Sequence, residues 1–471
     1  MKTPRSAPTP ARPAVHADHR SPRLRSPIAN ASRSPLPSST RKPISRSLTA
    51  LCLLAVLTAA SVAQCRSAHA GDWPQILGPN RDGAAAGEKL PNAFPVGGLA
   101  AAWRAAIGEG YAGPAVAGDR VVVFHRQGER ENVTAYRLKT GEKLWEAGFA
   151  TAYRSGIDPD QGPRCVPVIA GDAVIAYGPA GGLHCVGLTD GRVRWSRPVL
   201  EELNGDEGYF GAGSTPLVVD GLVLVNVGGR NNAGVAAFSL TTGKTVWTAG
   251  QEDASYAAAT LTQREGRPVA LFVTRYSCLA LEPATGKTLF RFPFGKRGPT
   301  VNAATPLAFD GRVFVTASYG IGAVMKRWDA AVPLDAPADV WANDESLSSQ
   351  YSTPVHFQGY LYGTHGREDV GRAALRCVSA KTGAVVWEVE DFGVANVIRA
   401  EDKLLIVGTD GVATLATASP LRFEKLASAR VPADQRAITR ALPALASGRL
   451  VVRTNVRGGD GGELLCVPIS P

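Results

Sequence analysis

Residues 135–145 read AYRLKTGEKLW, and the pattern returns four times: CVGLTDGRVRW at 185–195, AFSLTTGKTVW at 237–247, ALEPATGKTLF at 280–290 and CVSAKTGAVVW at 377–387. Each copy has a small residue, then Thr or Asp five positions on, then Gly, then an aromatic four beyond the Gly. Alternating apolar residues before the Gly predict a strand with one side facing a core. The Thr-Gly or Asp-Gly pair predicts a tight turn whose glycine takes positive φ, and the aromatic falls on the returning strand. Gly141, Gly191, Gly243, Gly286 and Gly383 are thus the turn residues, and Trp145, Trp195, Trp247, Phe290 and Trp387 the aromatics.

Working outward, a proline anchor precedes each hairpin, at Pro114, Pro167, Pro216, Pro306 and Pro354. After it come a Gly-bearing turn and a short apolar run such as VVVF or VLVNV, which predicts a second strand. Weaker copies begin near Ala259, Val397 and Pro443, making eight starts spaced about 45 residues apart. One four-stranded unit per repeat is the signature of a β-propeller blade, since such a sheet buries its faces only by stacking on its neighbours. The expected fold is therefore all-β, an eight-bladed propeller of four-stranded antiparallel blades. The last repeat lacks its aromatic strand while LAAAWRA, around Trp103, is an orphan, so the N-terminal strand is expected to complete blade 8 and close the ring. Residues 329–340 are an insertion in blade 5, and ATLATASPLRF is a degenerate motif in blade 7.

The 471 residues carry 51 Lys and Arg against 41 Asp and Glu. Eleven of the basic residues and a single acid lie in residues 1–70, so the whole formal excess of +10 resides there and the rest is neutral. Phosphate recognition needs a basic field on the folded body, which argues against a nucleic-acid partner. Residues 1–47 are rich in Pro, Ser and Arg, a composition that buries no core. LTALCLLAVLTAASVA at 48–63 and Ala68-His69-Ala70 then read as a signal peptide cleaved after Ala70. The long basic region leaves two alternatives, a start further downstream or an uncleaved anchor with membrane association through 48–63. The expected organisation is a leader at 1–70, a lead segment at 71–98 and a propeller at 99–471. The protein is expected to be exported to the periplasm or the cell exterior.

Five cysteines remain beyond the leader: Cys165, Cys185, Cys278, Cys377 and Cys466. Their spacing is no disulfide framework. Cys185, Cys377 and Cys466 occupy the small-residue slot of the repeat, where they serve as apolar filler. Asn132-Val133-Thr134 fits a glycosylation acceptor by chance.

The repeat resembles the pyrroloquinoline-quinone (PQQ) repeat shared by eight-bladed quinoprotein dehydrogenases and BamB-type outer-membrane assembly proteins. DWPQILGPNRDG, at 72–83, resembles the lead segment of secreted bacterial PQQ-like propellers. The resemblance implies two functions. In one, a quinoprotein oxidoreductase holds PQQ and Ca²⁺ in the channel with a catalytic Asp, a Trp under the quinone and often an adjacent Cys pair. In the other, a BamB-like propeller is a non-catalytic binding or assembly module. This chain has no adjacent cysteines, no C-x-x-C-H, no H-E-x-x-H, no G-x-S-x-G and no Walker loop. Its acidic pairs (Asp158/Asp160, Asp206/Glu207, Glu252/Asp253, Asp344/Glu345, Glu368/Asp369) read as solvated loop charges. The expectation is a binding module without catalytic residues, cofactor or metal, whose partner is a protein or glycan of the cell envelope. The quinoprotein is the alternative.

One position supports a ligand site. The residue three before each proline anchor should recur near one mouth of the channel. Around the ring it is Tyr111, Arg164, Gly213, Tyr256, Ala303, Tyr351, Val394 and Arg440. Three Tyr and two Arg suit an elongated or ring-shaped ligand by stacking and by carboxylate or phosphate pairing. Alternatively the tyrosines simply fill the channel.

Overall fold

The computed structural model describes residues 71–434, 437–456 and 461–469. The leader predicted at 1–70, with its apolar stretch 48–63, lies outside them. Seven antiparallel sheets of four strands follow one another along the chain, at 115–150, 168–198, 217–249, 260–293, 307–343, 355–389 and 395–430. The eighth blade joins Ala444–Ala446, Arg449–Val456 and Gly462–Pro468 to the N-terminal strand Trp103–Ile107, which pairs with Gly462–Pro468 from Trp103↔Cys466 to Ile107↔Gly462. A two-residue strand, Ala437–Ile438, also lies against Arg449–Val456. The ring is closed as the repeat count predicted.

Burial follows position in the blade. Second and third strands are sandwiched by neighbouring blades and bury both faces, so they read as continuous apolar runs such as Ala173–Tyr177. Fourth strands form the outer edge, and Val193–Pro198 alternates between exposed and half-buried residues.

The repeat motif is the joint between blades. Small residue and aromatic face each other across the third and fourth strands, as in Ala135↔Trp145, Cys185↔Trp195, Ala237↔Trp247, Ala280↔Phe290 and Cys377↔Trp387. A bulge follows immediately, at Ala135/Tyr136 and its equivalents. Each tryptophan then donates its indole N–H to a carbonyl of the next blade: Trp103 to Leu138 at 2.7 Å, Trp145 to Leu188 at 2.9 Å, Trp195 to Leu240 at 2.8 Å and Trp247 to Pro283 at 2.9 Å. The ring lies flat on the next blade's turn glycine. A Cβ on Gly191, whose φ is +69°, would sit 2.6 Å from Trp145, and Gly141, Gly243, Gly286 and Gly383 meet Trp103, Trp195, Trp247 and Trp341 in the same way. Glycine is required there twice, by the positive φ and by the indole above it.

Two blades depart from the rule, as their sequences anticipated. Blade 5 lacks a Thr-Gly turn, and Trp328, between its third strand and the insertion, meets the ring of Phe290 edge-on at 4.9 Å. Blade 5 also sets Met325, not a small residue, against Trp341, and blade 7 sets Leu415 against Ala427 with no aromatic at all. Phe423 instead takes the ring of Trp387 at 5.6 Å, and Leu90 and Leu99 of the lead segment join the core of blades 7 and 8. All five cysteines are buried and free, and Cys466 faces Trp103 in the small slot of blade 8. Asn132 is buried within a blade strand, out of reach of glycosylation.

Candidate functional site

The residues that precede the innermost strands are chained around the ring. The amides of Tyr111 and Ala112 both donate to the carbonyl of Pro163, just before Arg164, at 2.8 and 2.9 Å. Tyr256 and Ala257 do the same to Asn302, just before Ala303, at 2.9 and 3.0 Å. This backbone pattern fixes where each side chain leaves the chain. Tyr111, Arg164, Tyr256, Tyr351 and Arg440 all line one cavity of about 560 Å³, together with Ala303. Gly213 and Val394, in the same slot, are not part of the lining. Blade 3 has glycine there because the ring of Tyr256 leans over it, and a Cβ would fall 2.4 Å from Tyr256 Cδ1.

Each charge in the cavity has a partner of opposite sign, Arg164 serving two carboxylates. Arg164 Nη1 donates to Asp160 Oδ1 at 2.9 Å, with Asp158 3.8 Å away. Asp160 also accepts the Gly110 amide at 2.9 Å and Asn455 Nδ2 at 3.0 Å. Across the mouth, Glu368 Oε2 accepts from Arg440 Nε at 2.9 Å and from the Tyr351 hydroxyl at 2.7 Å. Both guanidiniums lie over the ring of Tyr111, Arg164 at 5.1 Å and Arg440 at 5.0 Å from its centroid. Tyr111 is therefore already stacked by the protein's own guanidiniums while still lining the cavity. Tyr256 is turned edge-on to Phe210 at 5.7 Å, and its hydroxyl accepts the Phe210 amide at 2.9 Å.

Burial raises the Tyr111 and Tyr256 phenols to about 12, and for Tyr111 the charge of Asp158 adds to it. Burial, then the charge of Glu368, pushes Tyr351 further in the same direction. Burial works against the charge on Arg440, but Glu368, Tyr351 and Tyr111 outweigh it and hold that guanidinium protonated above its ordinary range. At neutral pH the lining thus offers protonated phenols and paired ions.

Reading Asp158/Asp160 as solvated loop charges is corrected here. Their side chains are 14% and 11% exposed, because the loop folds inward to brace Arg164. Glu368 and Asp369 likewise line the cavity, Asp369 being paired with Arg367. The repeat register did not point to Phe210, Tyr319 or Gln350. Gln350 donates to the Tyr319 hydroxyl at 3.1 Å and to Asp369 at 3.0 Å. Tyr319 sits at φ +65° in the turn after the second strand of blade 5, so a bulky non-glycine residue in a turn was the available signal.

Every tryptophan of the chain lies outside the lining, and each lining carboxylate has a guanidinium partner. Among the described residues no group of three or more His, Cys, Asp or Glu is placed to hold a metal ion.

Fold and cavity together define an eight-bladed propeller with a PQQ-like repeat and a central aromatic and charged mouth. Residues 129–389 match the family model described as outer membrane protein assembly factor BamB, and the chain belongs to that family of PQQ-repeat propellers. Among solved structures it is similar to BamB from Moraxella catarrhalis, at 16% identity over 78% of this chain and 97% of that one, with a TM-score of 0.54. It is also similar to a europium-containing methanol dehydrogenase, at 12% identity over 84% and 98% with a TM-score of 0.62. A quinohemoprotein alcohol dehydrogenase from Comamonas testosteroni matches at 14% identity over 85% and 81%, with a TM-score of 0.58. Identities this low establish a shared fold and nothing of shared chemistry. Among curated proteins the sequence finds no match.

Proposed function

We propose that the protein is an exported, non-catalytic binding propeller of the cell envelope, whose channel mouth receives part of a protein or glycan partner. The mutual pairing of the ions at that mouth carries this reading. Each carboxylate of the lining faces a guanidinium, Asp158 and its neighbour Asp160 facing Arg164, Glu368 facing Arg440 and Asp369 facing Arg367, an arrangement that favours structural ion pairs over a general base or a calcium ligand. The lining also has no indole to lie under a quinone and no vicinal thiol pair. It does not fit the calcium–quinone pair of the dehydrogenases. Protonated phenols, apolar faces at Val301 and Ala303 and internally paired charges suit a polar ligand held by hydrogen bonds and ring contacts.

Calorimetric titration of the full chain with PQQ, with and without Ca²⁺, beside a dye-linked alcohol oxidation assay, separates this reading from the quinoprotein one. The expected result is neither calcium-dependent saturation nor turnover, and finding both would overturn the proposal. Peptide and glycan arrays probed with the labelled protein are expected to give hits that Arg440→Met and Tyr351→Phe weaken. Hits indifferent to both substitutions would move the interface from the mouth to the rim.

A further inference from the structure

The segment DWPQILGPNRDG, at 72–83, belongs to no blade and lines no part of the cavity. Its attachments explain it. Asp72 Oδ1 accepts the Gly118 amide at 2.8 Å, Trp73 exchanges two 2.8 Å backbone hydrogen bonds with Val116 of blade 1, and the Pro74 carbonyl accepts the Ile169 amide of blade 2 at 2.8 Å. Arg81 then reaches the far side. Its Nη1 donates to the carbonyl of Ala259, ahead of blade 4, at 2.7 Å, and its Nη2 to that of Pro216, ahead of blade 3. The chain returns by Gly83, whose carbonyl accepts the Arg399 amide of blade 7 at 2.9 Å and whose α-carbon faces Val355 of blade 6. Glu88 completes the circuit by accepting the amides of Ser447 and Gly448 in blade 8, at 2.7 and 2.8 Å.

Innermost strands surround the propeller axis. A segment bonded to those of blades 1 and 2, to the entries of blades 3 and 4, and to blades 6 and 7 has to cross that axis. Its backbone attachments at Val116, Ile169 and Arg399 fall within those strands, past the slot residues that enter them. We propose that residues 72–83 are a plug that closes one end of the channel and leaves the tyrosine-lined mouth as its single entrance. The channel is then a one-mouthed cup. Resting on the binding reading above, the consequence is that the ligand is a compact group or the end of a chain, not a strand threaded through the ring.

The chemistry of the plug is specific. The Arg81 guanidinium is 1% exposed and forms no ion pair among the described residues, its charge resting on carbonyls and on Gln75 Oε1, 2.8 Å from Nε. Burial lowers it to about 9, which makes a full set of oriented acceptors a condition of its sitting there. Leu77 and Arg81 both adopt φ of 58°, a region that side chains rarely enter, so docking overrides the backbone's own preference. Gly83, at φ +73°, has no room for a Cβ, which would fall 2.6 Å from Val355 Cγ1.

Hydrogen exchange of the full chain tests the plug without any ligand, so its outcome is separable from that of the binding reading. The reporters are the amides of Val116, Ile169 and Arg399, whose acceptors are Trp73, Pro74 and Gly83. In the parent they should exchange as slowly as the ladder between Arg120–Gln127 and Arg130–Arg137. In Gly83→Val, and separately in Arg81→Met, which leaves the Gly83 turn intact, the three should accelerate together by at least about 100-fold while blade ladders stay protected. Acceleration of Arg399 alone, no acceleration in either variant, or equal acceleration of the ladders would overturn the proposal.

Discussion

Trp145 shows how much one side chain carries. It covers the turn glycine of the next blade, faces Ala135 across its own sheet and donates to Leu188. Trp145→Ala should cost about 3–5 kcal/mol, and Trp145→Phe, which keeps most of the area but loses the hydrogen bond, about 1–2 kcal/mol, both read from urea midpoints. Glu131 is strained differently. It is buried, its Oε1 has no hydrogen-bond partner, and burial raises its carboxyl from 4.5 to about 7 against the pull of Thr151 and Arg126. A raised carboxyl pKa means that the folded state holds the proton more tightly than the unfolded one. Its contribution is most favourable below 4.5 and is lost as pH rises to about 7. Glu131→Gln should therefore stabilise the protein at pH 8, by on the order of 2 kcal/mol, and change little at pH 4. Equal effects at both pH values would show that the carboxyl titrates normally.

At the scale of elements, the seam is the informative place. Trp103–Ile107 is joined to blade 8 only through the sheet, since the chain enters it from the lead segment and leaves it for blade 1. Trp103 nevertheless makes the same joint as the others, bonding Leu138 and covering Gly141. Trp103→Ala should raise amide exchange first in Gly462–Pro468 and in blade 1, whereas Trp195→Ala should do so in blades 2 and 3. Uniform loss of protection in both variants would mean that the ring opens only as a whole. Strand order and this seam were legible in the sequence because a period-two pattern with a fixed turn leaves one register. How blades 5 and 7 would be mended was not. Trp328 reaches Phe290 from just before an insertion, and Leu90 and Leu99 fill blade 7 from outside the repeat, so no spacing rule announces either.

For the whole molecule, closure makes stability a property of the ring. Two buried histidines tie it to pH: burial lowers His125 to about 3 and His184 to about 4. Depressed values mean that both are neutral when folded, so their contribution is complete above 6.5 and is lost as pH falls from 6.5 towards 4. In the Glu131→Gln background the urea midpoint should decline across that window, and His184→Gln should flatten the decline. An unchanged slope would place the loss elsewhere. The same closure assembles the candidate site, since Arg164 and Arg440 come from loops nearly 280 residues apart and meet over one tyrosine ring.

The sequence by itself determined the eightfold repeat, the strands, the turn glycines, the joint aromatics and the slot from which Tyr111, Arg164, Tyr256, Tyr351 and Arg440 enter the mouth. These follow from local rules, the two-residue period of a strand and the backbone freedom of glycine, which act over a few residues and recur in each blade. Tertiary structure alone decided which charges are paired, that Tyr111 is stacked by the protein's own guanidiniums, that Asp160 braces Arg164 instead of meeting solvent, and that Arg81 donates to the carbonyls ahead of blades 3 and 4. Those outcomes depend on distances between residues far apart in the chain, and electrostatic partners are chosen by proximity in space after the ring has closed.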